Sequence, residues 1–262
     1  MRTTSNPAFR NLPTGGYGNY AGFGQQQQDT GGYPPAPPMA TSRPMTIDDV
    51  VTKTGITLAV LFVSGAITYA MDLFALALPA MIIGFVLALV NIFKKKPSPA
   101  LVLAYAVAEG VFLGAISGFI ADQLGKSGGA IVIQAIVGTL GVFIGMLVVY
   151  KTGAIRVTPK LTKWIIGGVV GVGVLMLANL VAGFFIPGGL GLRDGGTLAI
   201  IFSLVCIGLA AFSFLLDFDA ADEAIRAGVP AVYSWKIAFG LTVTLVWLYL
   251  EILRLLSYFN SD

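Results

Sequence analysis

Between residues 54 and 258 the sequence is a succession of seven apolar runs of 18 to 26 residues, divided by short charged or Gly/Pro-rich breaks. A helix rises ~1.5 Å per residue and the hydrocarbon of a bilayer is ~30 Å thick, so each run is long enough to cross it. The runs are 54–71, 73–93, 99–121, 129–150, 161–186, 197–216 and about 235–258. Only 11% of the residues are charged and 56% are hydrophobic, which excludes an ordinary soluble domain. The expected fold is all-α: a polytopic membrane protein with seven transmembrane helices. The break Met71-Asp72-Leu73 is the shortest, and requires a tight hairpin between the first two spans.

The chain has no histidine and one cysteine, Cys206. It therefore cannot build a Cys/His zinc site, a Ser-His-Asp triad, a Cys-His pair or an internal disulfide. No resident cofactor and no enzymatic activity are expected. The formal charge of +3 is no sign of nucleic acid, because the 16 Lys and Arg lie scattered between apolar runs and form no basic face.

Their placement instead reports topology. Thirteen of the 16, from Arg2, Arg10, Arg43 and Lys53 through Lys94 to Lys96, Lys151, Arg156, Lys160 and Lys163 to Arg226 and Lys236, fall on one side. Lys126, Arg193 and Arg254 fall on the other. Loops retained in the cytoplasm are enriched in Lys and Arg, so the expected orientation is N-terminus inside and C-terminus outside, in the inner (plasma) membrane.

Residues 1–45 hold seven of the 13 prolines, the run Gln25 to Gln28 and a Gly/Tyr stretch from Gly15 to Gly24. Such a segment buries too little apolar area to offset chain entropy and is expected to be a disordered cytoplasmic tail. It lacks the apolar core of a signal peptide. The organisation is thus a tail, 1–45, and a membrane domain, 46–262. Within the domain, glycines recur at intervals of four: Gly110 and Gly114, Gly141 and Gly145, Gly167 and Gly171. In lipid this spacing lets helices approach through their backbones, and close packing is expected at each pair.

Carboxylates at membrane depth cost roughly 2.5 to 3.5 kcal/mol each on insertion scales, so they usually face a bundle interior or water. Three qualify: Glu109 in the third span, Asp217 at the end of the sixth apolar run and Glu251 in the seventh. If the sixth helix continues through Asp219, Asp222 and Glu223 to Arg226, Asp217 is ~13 Å from its charged end. If the seventh helix meets the hydrocarbon at Phe239, Glu251 is ~18 Å deep, in one layer with Asp217 and with Glu109 at ~15 Å. If it does so at Trp235, Glu251 is ~24 Å deep, about 10 Å above Asp217. Each acid also has a plainer role open to it: Glu251 as the i,i+3 ion-pair partner of Arg254, Asp217 as part of a solvated helix end in which Asp222 and Arg226 lie at i,i+4, and Glu109 as a neutral acid hydrogen-bonded in a wet cavity.

Three stretches together resemble the Bax inhibitor-1 family, also called the transmembrane Bax inhibitor motif family, in its bacterial branch. They are Glu109-Gly110-Val111-Phe112-Leu113-Gly114 with Gln134-Ala135-Ile136-Val137-Gly138-Thr139; Phe214-Leu215-Leu216-Asp217-Phe218-Asp219; and Leu248-Tyr249-Leu250-Glu251-Ile252-Leu253. The resemblance covers about residues 54–258 and omits the tail. It implies a central seventh helix wrapped by six others and a pH-sensitive calcium leak. It further implies that two acids, on the sixth and seventh helices, share protons and close the cytoplasmic side of a pore; by motif these are Asp217 and Glu251. The sequence departs from the family pattern in having Glu rather than Asp at 251, in the separation of 34 positions from one acid to the other, and in a second span, 73–93, without a basic residue.

A pair of carboxylates in a low-dielectric layer resists double ionisation and titrates as one unit. Its oxygens suit a hard cation such as calcium, yet fall short of the about six to eight ligands of a tight site, which favours weak, passing occupancy. The expected function is therefore a pH-sensitive calcium or cation leak channel, or slow transporter. Asp217 and Glu251 serve as proton-sensing gate and weak calcium ligands, and Glu109 and Asp219 line the ion pathway. The alternative is a non-conducting regulator that binds a membrane protease or other membrane protein.

Overall fold

The computed structural model describes residues 43–260, and among them seven helices are long and apolar enough to cross a bilayer. They are α1 (Ile47–Ala70), α2 (Ala77–Phe93), α3 (Pro99–Gln123), α4 (Gly128–Thr152), α5 (Pro159–Gly183), α6 (Thr197–Arg226) and α7 (Ser234–Phe259). The expectation of a disordered tail over 1–45 falls outside the described residues except at Arg43, Pro44 and Met45.

Local chemistry fixes the helix limits. α1 begins at Ile47, seven residues before the apolar run, because Thr46 and Asp49 form a capping box. The Thr46 hydroxyl accepts from the Asp49 amide, and the Asp49 carboxylate accepts from the Thr46 amide at 3.0 Å. Proline opens α3 and α5, where its missing N–H is no loss. Gly153, at φ 69°, ends α4 in the left-handed conformation. The hairpin between the first two spans turns on Asp72, at φ 53°, which a short polar side chain tolerates. α6 runs without interruption through Asp217 to Arg226, one unbroken helix of 30 residues.

Successive helices run antiparallel, as contacts at both ends demonstrate. Lys236, at the start of α7, donates to the carbonyl of Lys94 at the end of α2, at 3.1 Å. Lys53 in α1 donates to Ser234 Oγ at 2.8 Å and to the Ala231 carbonyl at 3.0 Å. At the opposite end Ser117 in α3 and Tyr249 in α7 share a hydrogen bond of 2.7 Å. The end holding Lys53, Lys94, Lys151 and Lys236 is called the basic end below. Pro44 bridges Pro230, and the Met45 amide donates to the Val229 carbonyl at 2.8 Å, so the approach to α1 is fastened to the α6–α7 loop. Met45 itself is buried.

α7 is the central helix. It packs against α1, α3, α4 and α6, while α5 lies at the periphery, packed on α6. The main core gathers Val102, Tyr105, Phe214, Ile237, Phe239 and Leu248 around it.

The glycine pairs divide. At Gly114 a Cβ would collide with the backbone carbonyl of Gly65, and at Gly110 with the Leu61 carbonyl and Ser64 Oγ, so α1 and α3 touch backbone to backbone. Gly141, Gly145, Gly167 and Gly171 have nothing within 4 Å of a Cβ position. The expected close packing holds for the first pair only. The other four face open space, because α4 and α5 turn those faces outward.

Candidate functional site

Glu251 sits on the central helix and is 1% exposed. Its charge is met from two directions. Arg193 donates from Nη1 to Oε2 at 3.1 Å and from Nη2 to Oε1 at 2.9 Å. Arg254, one turn on, donates from Nη1 to Oε1 at 3.2 Å. A two-pronged guanidinium–carboxylate contact is the strong form of this interaction, and burial removes the competing water. Arg193 is further held by Met176 Sδ at 3.3 Å and by the ring of Phe202, 5.4 Å from its guanidinium carbon.

Arg193 comes from the loop between α5 and α6, residues 184–196. Gly188, Gly189, Gly191 and Gly195 of that loop all take positive φ, between 64° and 84°, which only glycine adopts freely. The loop folds over the end of the bundle rather than away from it. Asn179 Oδ1 accepts from the Leu190 amide at 2.9 Å, and Leu192 is buried.

Asp217, also 1% exposed, lies in α6 opposite α7. Thr244 donates its hydroxyl to Asp217 Oδ2 at 2.6 Å. Thr244 and Glu251 are seven residues apart on α7, two turns on one face and about 10 Å along the axis. Leu248 stands between them on that face and is fully buried.

This overturns the single-layer register. α7 begins at Ser234, and Thr244, not Glu251, comes level with Asp217. By helix rise the two acids thus lie about two turns of α7 apart along the bundle. Among the described residues no group of three or more His, Cys, Asp or Glu could hold a metal ion.

Glu109 is placed elsewhere. It is half-buried between α3 and α2, with Oε1 so close to Gly84 that a Cβ there would be 2.9 Å away, and Tyr105 lies one turn back on its own helix. Asp219 is half-buried two residues beyond Asp217, toward the basic end, and its charge reaches Tyr150. Tyr150 donates to Asp222 Oδ2 at 2.9 Å, and Arg226 donates from Nε to the Asp222 main-chain carbonyl at 3.2 Å rather than to its carboxylate.

The i,i+3 contact of Glu251 with Arg254 was legible in the sequence. Arg193 was not, since its position between spans marks it as a solvated loop residue. The signal that could have found it is the glycine pattern around it, which lets a loop fold inward. Nothing in the residue order singles out Thr244.

A seven-helix membrane bundle with a polar central helix, carrying two separately partnered buried acids, is the class that fold and site define. The chain belongs to the Bax inhibitor 1 like family, whose model matches residues 6–261, nearly the whole chain and most of the tail that the sequence resemblance omitted. No curated protein matches the sequence.

Proposed function

We propose that the chain is a pH-sensitive calcium or cation leak channel of the plasma membrane, in which the two buried acids have different tasks. The observation that carries this reading is the grip of Arg193 on Glu251 at the heart of the bundle. A buried carboxylate held by a loop arginine is a lock that a proton can release, since a neutral Glu251 no longer attracts either arginine. The glycine-rich loop is then free to withdraw. Asp217, two turns deeper, supplies a single anionic oxygen group for a passing cation, and Leu248 is the apolar barrier between them. One carboxylate holds calcium weakly, as conduction requires.

The basic end, with Lys94 to Lys96, Lys151 and Lys160, is assigned to the cytoplasm by the excess of positive charge there.

The test is calcium flux in proteoliposomes as a function of pH. Wild-type flux is expected to rise as pH falls, Glu251→Gln to leak with little pH dependence, and Asp217→Asn to conduct less. A purified chain silent at every pH overturns the channel reading and leaves the non-conducting regulator of a membrane protease or other membrane protein.

A further inference from the structure

On the far side of α7 from Arg193's loop, α1 and α4 do not close on one another. The gap between them is a laterally open apolar groove of about 660 Å³, floored by α3 and α7. That volume lies in the range of about 300 to 1,000 Å³ typical of small-molecule sites. It is not a loose seam. α1 is pinned to α3 by the backbone contact of Gly65 with Gly114, and α4 is packed on α7, where Gly138 lies against Ile252, so neither wall can move in to fill it.

The length of the groove selects its occupant. Its wall on α1 runs from Leu58 to Tyr69 and its wall on α4 from Gly129 to Leu140. Each is a step of eleven residues, about 16 Å at the rise of a helix. Half of a ~30 Å hydrocarbon core is about 15 Å, the depth of one leaflet. Both walls start at the end of the bundle opposite the basic end and stop at mid-depth. A transmembrane helix from a partner would need a channel twice as long. One polar group of the groove, Tyr69, falls where a lipid changes from chain to ester, while Ser117 and Tyr249 lie deeper and satisfy each other. Tyr69 is one residue from the end of α1, with its hydroxyl 3.7 Å from a Cβ position on Gly129, and the hydrogen-bonded Ser117 and Tyr249 hydroxyls lie along the floor. The rest of the lining is almost wholly apolar.

We propose that this groove binds one acyl chain of a phospholipid from the leaflet opposite the basic end, held between α1 and α4 as a resident part of the bundle. Recognition is by chain length and apolar contact, so phosphatidylglycerol and phosphatidylethanolamine of equal chain length bind alike.

Native mass spectrometry of the full-length protein, purified in mild detergent and supplied with either phospholipid, tests this. Wild type is expected to retain one lipid per chain. Ala66→Trp on one wall and Ile133→Trp on the other fill the groove and are expected to lower the retained fraction about tenfold. Val63→Trp, on the exposed face of α1 outside the groove, is expected to retain the lipid. Should the two tryptophan variants fail to fold, Ala66→Cys is modified after purification with a hexyl maleimide, which is expected to expel the lipid from folded protein. Wild type without retained lipid, or equal retention when the groove is filled, overturns the proposal. So does an Ala66→Cys chain that cross-links to a second copy through this groove, since a protein partner would then be its occupant.

Discussion

Arg193 and Glu251 are 58 residues apart in the chain and meet through two hydrogen bonds, at 3.1 and 2.9 Å, with Glu251 almost wholly buried. Breaking a buried pair by removing one partner costs about 3 to 5 kcal/mol where the other is left unpaired. Arg254 still donates to Glu251 when Arg193 is gone, so Arg193→Ala is expected to lower stability by less than that amount, and to raise calcium leak at neutral pH. Arg193→Lys restores the charge but not the fork, and is expected to recover only part of either property. Arg254→Ala, whose side chain is more exposed, is expected to have the smaller effect. Thermal unfolding in detergent and proteoliposome flux check all three.

The second acid depends on a hydroxyl. Thr244→Val keeps the shape of the side chain and removes one donor to Asp217, and a hydrogen bond to a charged group is worth about 1.5 to 3 kcal/mol. Thr244→Ser is expected to restore most of the loss. Chemical denaturation of the three proteins side by side measures it, and equal stability of Thr244→Val and wild type would show that the contact contributes nothing.

Leu248 separates the two acids and is fully buried. Leu248→Ala leaves a cavity there, and such truncations cost about 2 to 5 kcal/mol. Its expected signature is joint: lower stability together with a raised leak that Asp217→Asn suppresses. A destabilised variant without extra flux would remove Leu248 from the pathway.

Glycines of similar sequence context are expected to differ sharply. Gly114→Ala forces α1 away from α3, since the new methyl meets the Gly65 backbone. Gly167→Ala meets nothing within 4 Å and exchanges glycine for a better helix former, a gain of up to about 1 kcal/mol. Melting temperatures should therefore move in opposite directions.

Orientation is tested with cysteines. Lys95→Cys is expected to react with a membrane-impermeant maleimide only after cell lysis, and Lys126→Cys in intact cells. Buried Cys206 stays silent in both. The reverse pattern would invert the assigned topology.

The number of spans was legible because hydrocarbon thickness fixes the length of an apolar run, and some limits were too, because Pro99, Pro159 and Gly153 punctuate helices for local reasons. α1 began earlier than its apolar run because Thr46 and Asp49 satisfy each other, a polar signal that a reading of hydropathy passes over. The acids could be found but not paired. Moving the start of the α7 span by four residues displaces Glu251 by more than one turn, and only packing against α6 decides which residue faces Asp217. Gly141 and Gly167 repeat the spacing of Gly110, yet spacing alone does not reveal whether another helix stands opposite.

The strand-like contact of Pro44 and Met45 with Val229 and Pro230 ties the start of the bundle to the elbow between the helices that carry Asp217 and Glu251. Any partner that takes hold of the chain upstream of Arg43 thus has a mechanical handle. Tension applied there is passed directly to that elbow, and through Arg43 and Asp49 to the start of α1, as a cord tied to a hinge moves the door without touching its panel.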